Sequence, residues 1–266
     1  MAENSGAEFT MVPLQRVAAK LFEIKLPEVI TTPRGEVIIG STDPRGLTRK
    51  GFLQSPDLLF HGAAREFDFN PQFSFSDDHY MTDHTIGIGF YTTNDSEVAE
   101  DYSQIRQRGD DRPAVIPVLP YAARMYDFRA VEDPENNGLM PSDMIRDFSD
   151  YYRKWMKENF PQAEKISGMN QRRYNICLEF AMNLEALSDK NTPYDLRGVL
   201  DPEHLGHNPR VPMVGAFTRF MRGKGFDGII YLEGGEYQHH KNAASFVFFN
   251  LDKVGTYDSW QTRKAS

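Results

Sequence analysis

The side chains best placed to do chemistry in this 266-residue chain sit on two short glycine-flanked segments and the helix that follows them. Leu58-Leu59-Phe60-His61-Gly62-Ala63 reads as a buried strand ending in a histidine backed by glycine, which presents one polar head at a crevice. Further along, Gly87-Ile88-Gly89-Phe90-Tyr91-Thr92-Thr93 offers a second strand that carries a tyrosine. The next segment, Ser96-Glu97-Val98-Ala99-Glu100-Asp101-Tyr102, places Ser96, Ala99 and Tyr102 at helical spacing. An imidazole, a bare glycine backbone and two phenols, held by two strands and a helix, describe a slot for a flat ring attached to a sugar. Taken singly, each residue also has a packing explanation. A histidine after an apolar strand is often simply hydrogen-bonded, and tyrosines are often core aromatics with a hydroxyl at the surface.

The elements that must position these residues are legible from periodicity and punctuation. Residues 12–24 open with Pro13 near a helix start and repeat Leu14, Val17, Ala18, Leu21 and Phe22 at helical spacing. Residues 29–30 and 36–40 read as short strands around a Thr32-Pro33-Arg34-Gly35 turn, and 57–61 as a third strand. The aromatic-rich stretch from His61 to Gly87 reads as loop. Residues 86–93 form a strand, and Asp95 caps the next helix with Glu97 in its first turn. Residues 114–119 are a strand in which Pro117 implies an edge or a bulge.

From 141 to 187 the pattern is helical. One stripe is Ile145, Phe148, Tyr152, Trp155 and Met156; the other is Tyr174, Cys177, Leu178, Ala181 and Leu184. Residues 191–212, with four prolines and two glycines, read as loop. A helix over 214–222 ends at Gly223 and Gly225, and strands at 228–231 and 245–249 close the fold. Strands, then helices, then strands predict an α+β fold. No Gly-x-Gly-x-x-Gly opens a helix after an early strand, so a dinucleotide-binding Rossmann fold has no support.

The succession His61-Gly62, then Gly87-x-Gly89-x-Tyr91, then Ser96-x-x-Ala99-x-x-Tyr102 resembles the His-Tyr-Glu class of ADP-ribosyltransferases, the diphtheria-toxin and poly(ADP-ribose) polymerase type. Gly225-Phe226-Asp227-Gly228-Ile229-Ile230-Tyr231, ahead of the last strand, is similar to a segment common in that family. The resemblance implies one domain over residues 1–266, with two small antiparallel sheets around an NAD cleft. Its core would span about 55–128 and 214–254, with a helical insertion at about 130–212. By motif position it implies that His61 bonds the adenosine-side ribose and that the Gly62 backbone binds the nicotinamide amide. Tyr91 would stack on the nicotinamide ring, Tyr102 would add a second aromatic wall, and Ser76 (or Ser74) would line the far ribose or phosphate.

Cleaving NAD at the nicotinamide bond puts positive charge on the ribose, as in an oxocarbenium-like transition state, while nicotinamide leaves neutral and needs no general acid. The protein must hold the ring, orient the ribose and stabilise the forming cation. The family's third catalytic position is a glutamate at the start of the last strand, and Ser245 occupies that place. A serine hydroxyl can bond a ribose hydroxyl but carries no negative charge, a deficit on the order of several kcal/mol in the barrier. Three accounts stay open: Glu236 in the preceding loop substitutes for it, the position has been altered from a carboxylate, or the protein transfers slowly or not at all. The resemblance implies an NAD-dependent mono-ADP-ribosyltransferase, with NAD as substrate, a protein acceptor and a bacterial toxin or effector setting. The alternatives are an NAD glycohydrolase and a catalytically inactive binding module of the same fold.

Composition narrows the setting. The chain is 40% apolar and 26% charged, ordinary for a globular protein. Its net charge of −8 argues against a nucleic-acid acceptor, although Arg153, Lys154 and Lys157 make a local basic patch. The single cysteine, Cys177, excludes an intrachain disulfide and fits a reducing compartment; its apolar neighbours predict a packed thiol. No apolar run approaches the ~20 residues of a membrane span. The polar start has no basic-then-apolar signal pattern, so the expected setting is cytoplasmic, or a target cell reached by a route independent of a signal peptide. His239 and His240 point to opposite sides of an extended chain, and neither His204, His207 nor Asp201 completes a metal set at convincing spacing. They read as loop histidines, and no metal is expected.

Overall fold

The computed structural model of the chain describes residues 34–63, 88–105, 112–129, 138–161, 168–200, 213–232 and 243–264. The helix expected at 12–24, the strand at 29–30 and the loop from 64 to 87 lie outside these residues. So do Ser74, Ser76, Glu236 and the histidines weighed as metal ligands.

Ten strands are described: β1 (Gly35–Ile39), β2 (Leu59–Ala63), β3 (Phe90–Thr93), β4 (Ala114–Pro120), β5 (Ala123–Asp127), β6 (Leu139–Met140), β7 (Tyr194–Asp195), β8 (Gly228–Leu232), β9 (Ala244–Phe248) and β10 (Val254–Gly255). Seven helices accompany them: α1 (Arg49–Leu53), α2 (Ser96–Ile105), α3 (Ser142–Asn159), α4 (Met169–Asp189), α5 (Leu196–Leu200), α6 (Met213–Gly223) and α7 (Tyr257–Lys264). The fold is α+β. Instead of two small antiparallel sheets, eight strands form one curled sheet in the order β1-β5-β8-β9-β3-β2-β4-β10, and β6-β7 stands apart as a ribbon.

One pairing accounts for that difference. β5 and β8 run parallel, Tyr126 opposite Ile229, while every other pair in the large sheet is antiparallel. A parallel pair needs a long crossover, and the helical block between β5 and β8 supplies it. Asp227 locks the junction. Its N–H donates to the Arg124 carbonyl (2.7 Å) and its carbonyl accepts from Phe249 N (2.7 Å). Its carboxylate accepts from Arg124 N (3.0 Å) and Asn250 Nδ2 (3.0 Å). Gly225, at φ +82°, makes the turn that delivers Asp227, so the Gly225–Tyr231 motif is a glycine-bounded entry into a buried strand.

Alternation along the central strands divides the core in two. Ile229, Tyr231, Val247 and Phe249 face the helical block, where Phe148, Tyr152, Cys177, Phe180, Leu184 and Phe217 complete one cluster. Ile230, Phe246 and Phe248 face the other way, into the curl of the sheet. Val37 and Ile39 from β1 and Val254 from β10 meet that same cluster, so both ends of the sheet close over it. The stripe on α3 is buried as expected. On α4, Leu178 is 40% exposed and Phe180 is buried in its stead. The buried face follows Cys177, Phe180, Ala181 and Leu184 at three- and four-residue steps, and Leu178 lies about 100° around the helix from Cys177. The expected loop at 191–212 begins with β7 and α5, whose cap is Asp195 Oδ1 accepting from Gly198 N at 2.6 Å. Pro117 falls in the part of β4 that β10 does not reach, an edge position where its missing N–H costs no pairing. Unforeseen from sequence, α7 docks Trp260 through Nε1 donating to the Leu119 carbonyl at 3.1 Å.

Buried charge is concentrated at Asp127, 1% exposed, at the end of β5. Arg129 grips it from Nε and Nη2 at 2.8 and 2.7 Å, and Arg34 stands 3.9 Å away. Removing one partner of such a pair strands the other, so Asp127→Ala is expected to lower unfolding free energy by about 3–5 kcal/mol. A denaturant midpoint within experimental error of the parent would contradict this. Burial pushes the Cys177 thiol pKa up, opposed by a hydrogen bond with Tyr152 and by the Arg173 charge. A thiol reagent is therefore expected to leave the native chain unmodified and to titrate one thiol after unfolding; rapid native labelling would refute it.

Candidate functional site

β2 is held unevenly. Its five residues pair with β4 from Leu59↔Val118 to Ala63↔Ala114, but its ladder with β3 is the single bridge Phe60↔Thr93. Beyond Phe60 the two strands part, and His61 spans the opening. Its Nδ1 donates to the Tyr91 carbonyl at 2.6 Å, which puts the proton on Nδ1 because a carbonyl can only accept. The ring also stacks on Phe90, with centroids 4.3 Å apart and planes at 28°.

β3 is zipped to β9 on its other side: Phe90↔Phe248, Tyr91↔Val247, Thr92↔Phe246 and Thr93↔Ser245. Ser245 in turn pairs with Tyr231 of β8. Paired residues share a face, so Phe60, Thr93, Ser245 and Tyr231 form one row across four adjacent strands. Carrying the Phe60↔Thr93 register two residues onward sets Gly62 opposite Tyr91 in the next row of that face. His61 belongs to the opposite face, with Phe90. The imidazole and the Tyr91 phenol therefore leave the sheet on opposite sides, and the link between them is the Tyr91 main chain. This is how the structure places the two side chains that the resemblance would set around one ligand.

α2 roofs the Gly62 face. Asp95 starts it, Oδ1 accepting from Glu97 N at 2.9 Å and Val98 N at 3.4 Å, as expected of an N-cap. A side chain at Gly62 would run into the Ala99 carbonyl and the Ser103 N–H, so glycine is what lets this helix lie on β2. Glu100, Ser103 and Gln104 line an open groove toward Pro113 and Val115 of the β4 side. With Ala99 and Ser103 against β2 and Glu100 and Gln104 toward β4, the remaining flank, bearing Val98 and Tyr102, turns toward β3. Val98 is fully buried there, and Tyr102, like Tyr91 and His61, is half-buried.

Gly62, Tyr91 and Ser245 thus share one face of the sheet with the Tyr102 flank of α2 over it, while His61 lies on the opposite face and is joined to them by its bond to the Tyr91 carbonyl. Ser245 is 2% exposed and its two strand neighbours, Thr93 and Tyr231, are hydroxyl-bearing and also buried. The row holds no carboxylate. Thr93 was not singled out from sequence; two residues after Tyr91 on one strand, it necessarily shares Tyr91's face, and that was the available signal. Among the described residues no three His, Cys, Asp or Glu side chains gather as a metal set, and no helix is long and apolar enough to cross a membrane.

Neither a family model, nor a curated protein, nor a solved structure matches the chain.

The close approach at Gly62 carries its own test. Gly62→Ala is expected to push α2 off β2 and destabilise the protein by about 1–3 kcal/mol, the usual range for overpacking. Unchanged thermal stability in Gly62→Ala would show that the helix yields freely and that Gly62 is not a packing constraint.

Proposed function

We propose that the protein is an NAD-dependent mono-ADP-ribosyltransferase that releases nicotinamide and passes ADP-ribose to a protein nucleophile. The register carries the reading: Gly62, Tyr91 and Ser245 occupy one face of three consecutive strands, beneath the Tyr102 flank of α2. A nicotinamide ring lying between Tyr91 and Tyr102 would find the Gly62 backbone beside it, where β2 has no ladder partner on the β3 side. The rest of the dinucleotide, passing through the opening between β2 and β3, would reach the imidazole of His61. His61 then serves as a ribose-binding group, oriented by its Nδ1 proton on the Tyr91 carbonyl. Ring stacking and strand-edge hydrogen bonds orient the scissile bond and exclude water, which is the protein's share of a reaction whose leaving group needs no proton.

The hydroxyl row favours a second reading, a module that binds NAD without turning it over. Thr93, Ser245 and Tyr231 bring hydroxyls to that face but no negative charge for the cation that would form on a ribose. Glu236 remains the candidate substitute carboxylate, and an NAD glycohydrolase would use water in place of the protein acceptor.

Incubation with labelled NAD and a cell lysate separates these. Transferred label that falls at least tenfold in His61→Ala and Tyr91→Ala, with both variants folded, is the expected result. Equal labelling in all three proteins would remove both residues from the mechanism. Nicotinamide release without labelled protein would mark a glycohydrolase, and NAD binding without nicotinamide release a binding module.

A further inference from the structure

We infer that Thr93 is a further ligand-binding residue, whose hydroxyl donates to a ribose hydroxyl of the nucleotide; the inference rests on the NAD reading of the same site. Thr93 is 3% exposed. Its Oγ1 accepts from Asp95 N at 3.2 Å, a local turn that ties the residue to the start of α2 and fixes its rotamer. That bond uses an oxygen lone pair and leaves the O–H to donate. Among the described residues no acceptor takes this proton.

The neighbouring threonines show how such a group is ordinarily satisfied. Thr92, on the opposite face, donates to the Phe246 carbonyl at 3.4 Å. Thr218 on α6 donates to the Val214 carbonyl at 3.0 Å while accepting from Ile88 N at 2.8 Å. Thr93 differs in keeping a buried donor unspent, a state that folding alone penalises, since valine would fill the same volume without it. Phe60 lies opposite on β2, and the next row of the face holds Tyr91, Val247 and Ile229.

Position supplies the ligand chemistry. Thr93 stands at the last bridge before β2 and β3 part, so its side chain borders the opening. Directly across β9 is Ser245, whose Cβ on an adjacent paired position lies about 5 Å away. The Thr93 hydroxyl, on the same face as Ser245, would meet a single ribose oxygen, and Tyr91 on that face sets a ring beside it. This points to the ribose that carries the nicotinamide.

The test is a calorimetric titration of the 266-residue chain with NAD and with its 2′-deoxy and 3′-deoxy forms at the nicotinamide-side ribose, using wild type, Thr93→Val and Thr93→Ser. Loss of one neutral hydrogen bond predicts that Thr93→Val weakens NAD binding roughly two- to tenfold, and that Thr93→Ser recovers it. One of the two deoxy analogues should bind wild type and Thr93→Val equally, because each lacks one half of the same bond. Thr93→Val binding NAD as tightly as wild type, or both analogues losing the same factor in the two proteins, would overturn the inference while leaving the NAD reading intact. Absence of NAD binding by the wild type would instead overturn the NAD reading, and this inference with it. If Thr93→Val does not fold, Thr93→Ala and Thr93→Ser give the same comparison.

Discussion

The asymmetric grip on β2 governs the site. Five consecutive residues of that strand are paired to β4, whereas β3 meets it in one bridge before diverging. Unmade ladder bonds along a buried strand leave polar groups that must find other partners, and the His61–Tyr91 bond is one such replacement. A side chain thus does there what a backbone ladder does elsewhere. A continuous β2–β3 ladder would put His61 and Gly62 inside an ordinary sheet with no unpaired stretch between the two strands.

Two close approaches make this geometry possible. Without a Cβ at Gly62, α2 rests its Ala99 carbonyl on the strand and swings its Tyr102 flank over β3. At Gly228, the absence of a side chain lets β8 lie against the Val247 carbonyl and Met125, so the parallel β5–β8 pair can form beside the antiparallel β8–β9 pair. Asp227 then satisfies main-chain groups from both neighbouring strands at once. The helical block is part of the same construction: it is the crossover that parallel pairing requires, and it buries the face of β8 and β9 that bears Tyr231 and Val247. It is packed into the core of the sheet and is not an appendage to it.

The electrostatic character of the site differs from that of the fold's interior. Asp127 is buried but gripped by Arg129, and the partly buried Asp227 carboxylate accepts from Arg124 N and Asn250 Nδ2, so these carboxylates keep their partners within the fold. The Phe60-Thr93-Ser245-Tyr231 row contains three hydroxyls and no charge.

Most of the local structure was legible in the residues. Short apolar runs bounded by turn residues marked β1, β8 and β9 to within a residue or two, Asp95 announced the start of α2, and the α3 stripe fell on its buried face, because each depends on neighbours close along the chain. Leu178 was misplaced because two adjacent apolar residues on a helix satisfy the spacing rule almost equally well, and only the partner surface chooses between them. The ribbon strand β7, the helix α5 and the docking of Trp260 were hidden for the same reason. At the site, the identities of His61, Gly62, Tyr91, Tyr102 and Ser245 came from sequence, while Thr93 emerged with the pairing. What tertiary structure alone decided was register: which residue of β9 faces Thr93, where the β2–β3 ladder stops, and on which side each ring leaves the sheet. A one-residue slip would reverse every one of those faces, and the slip is forbidden by contacts between strands far apart in the chain, which no local pattern encodes.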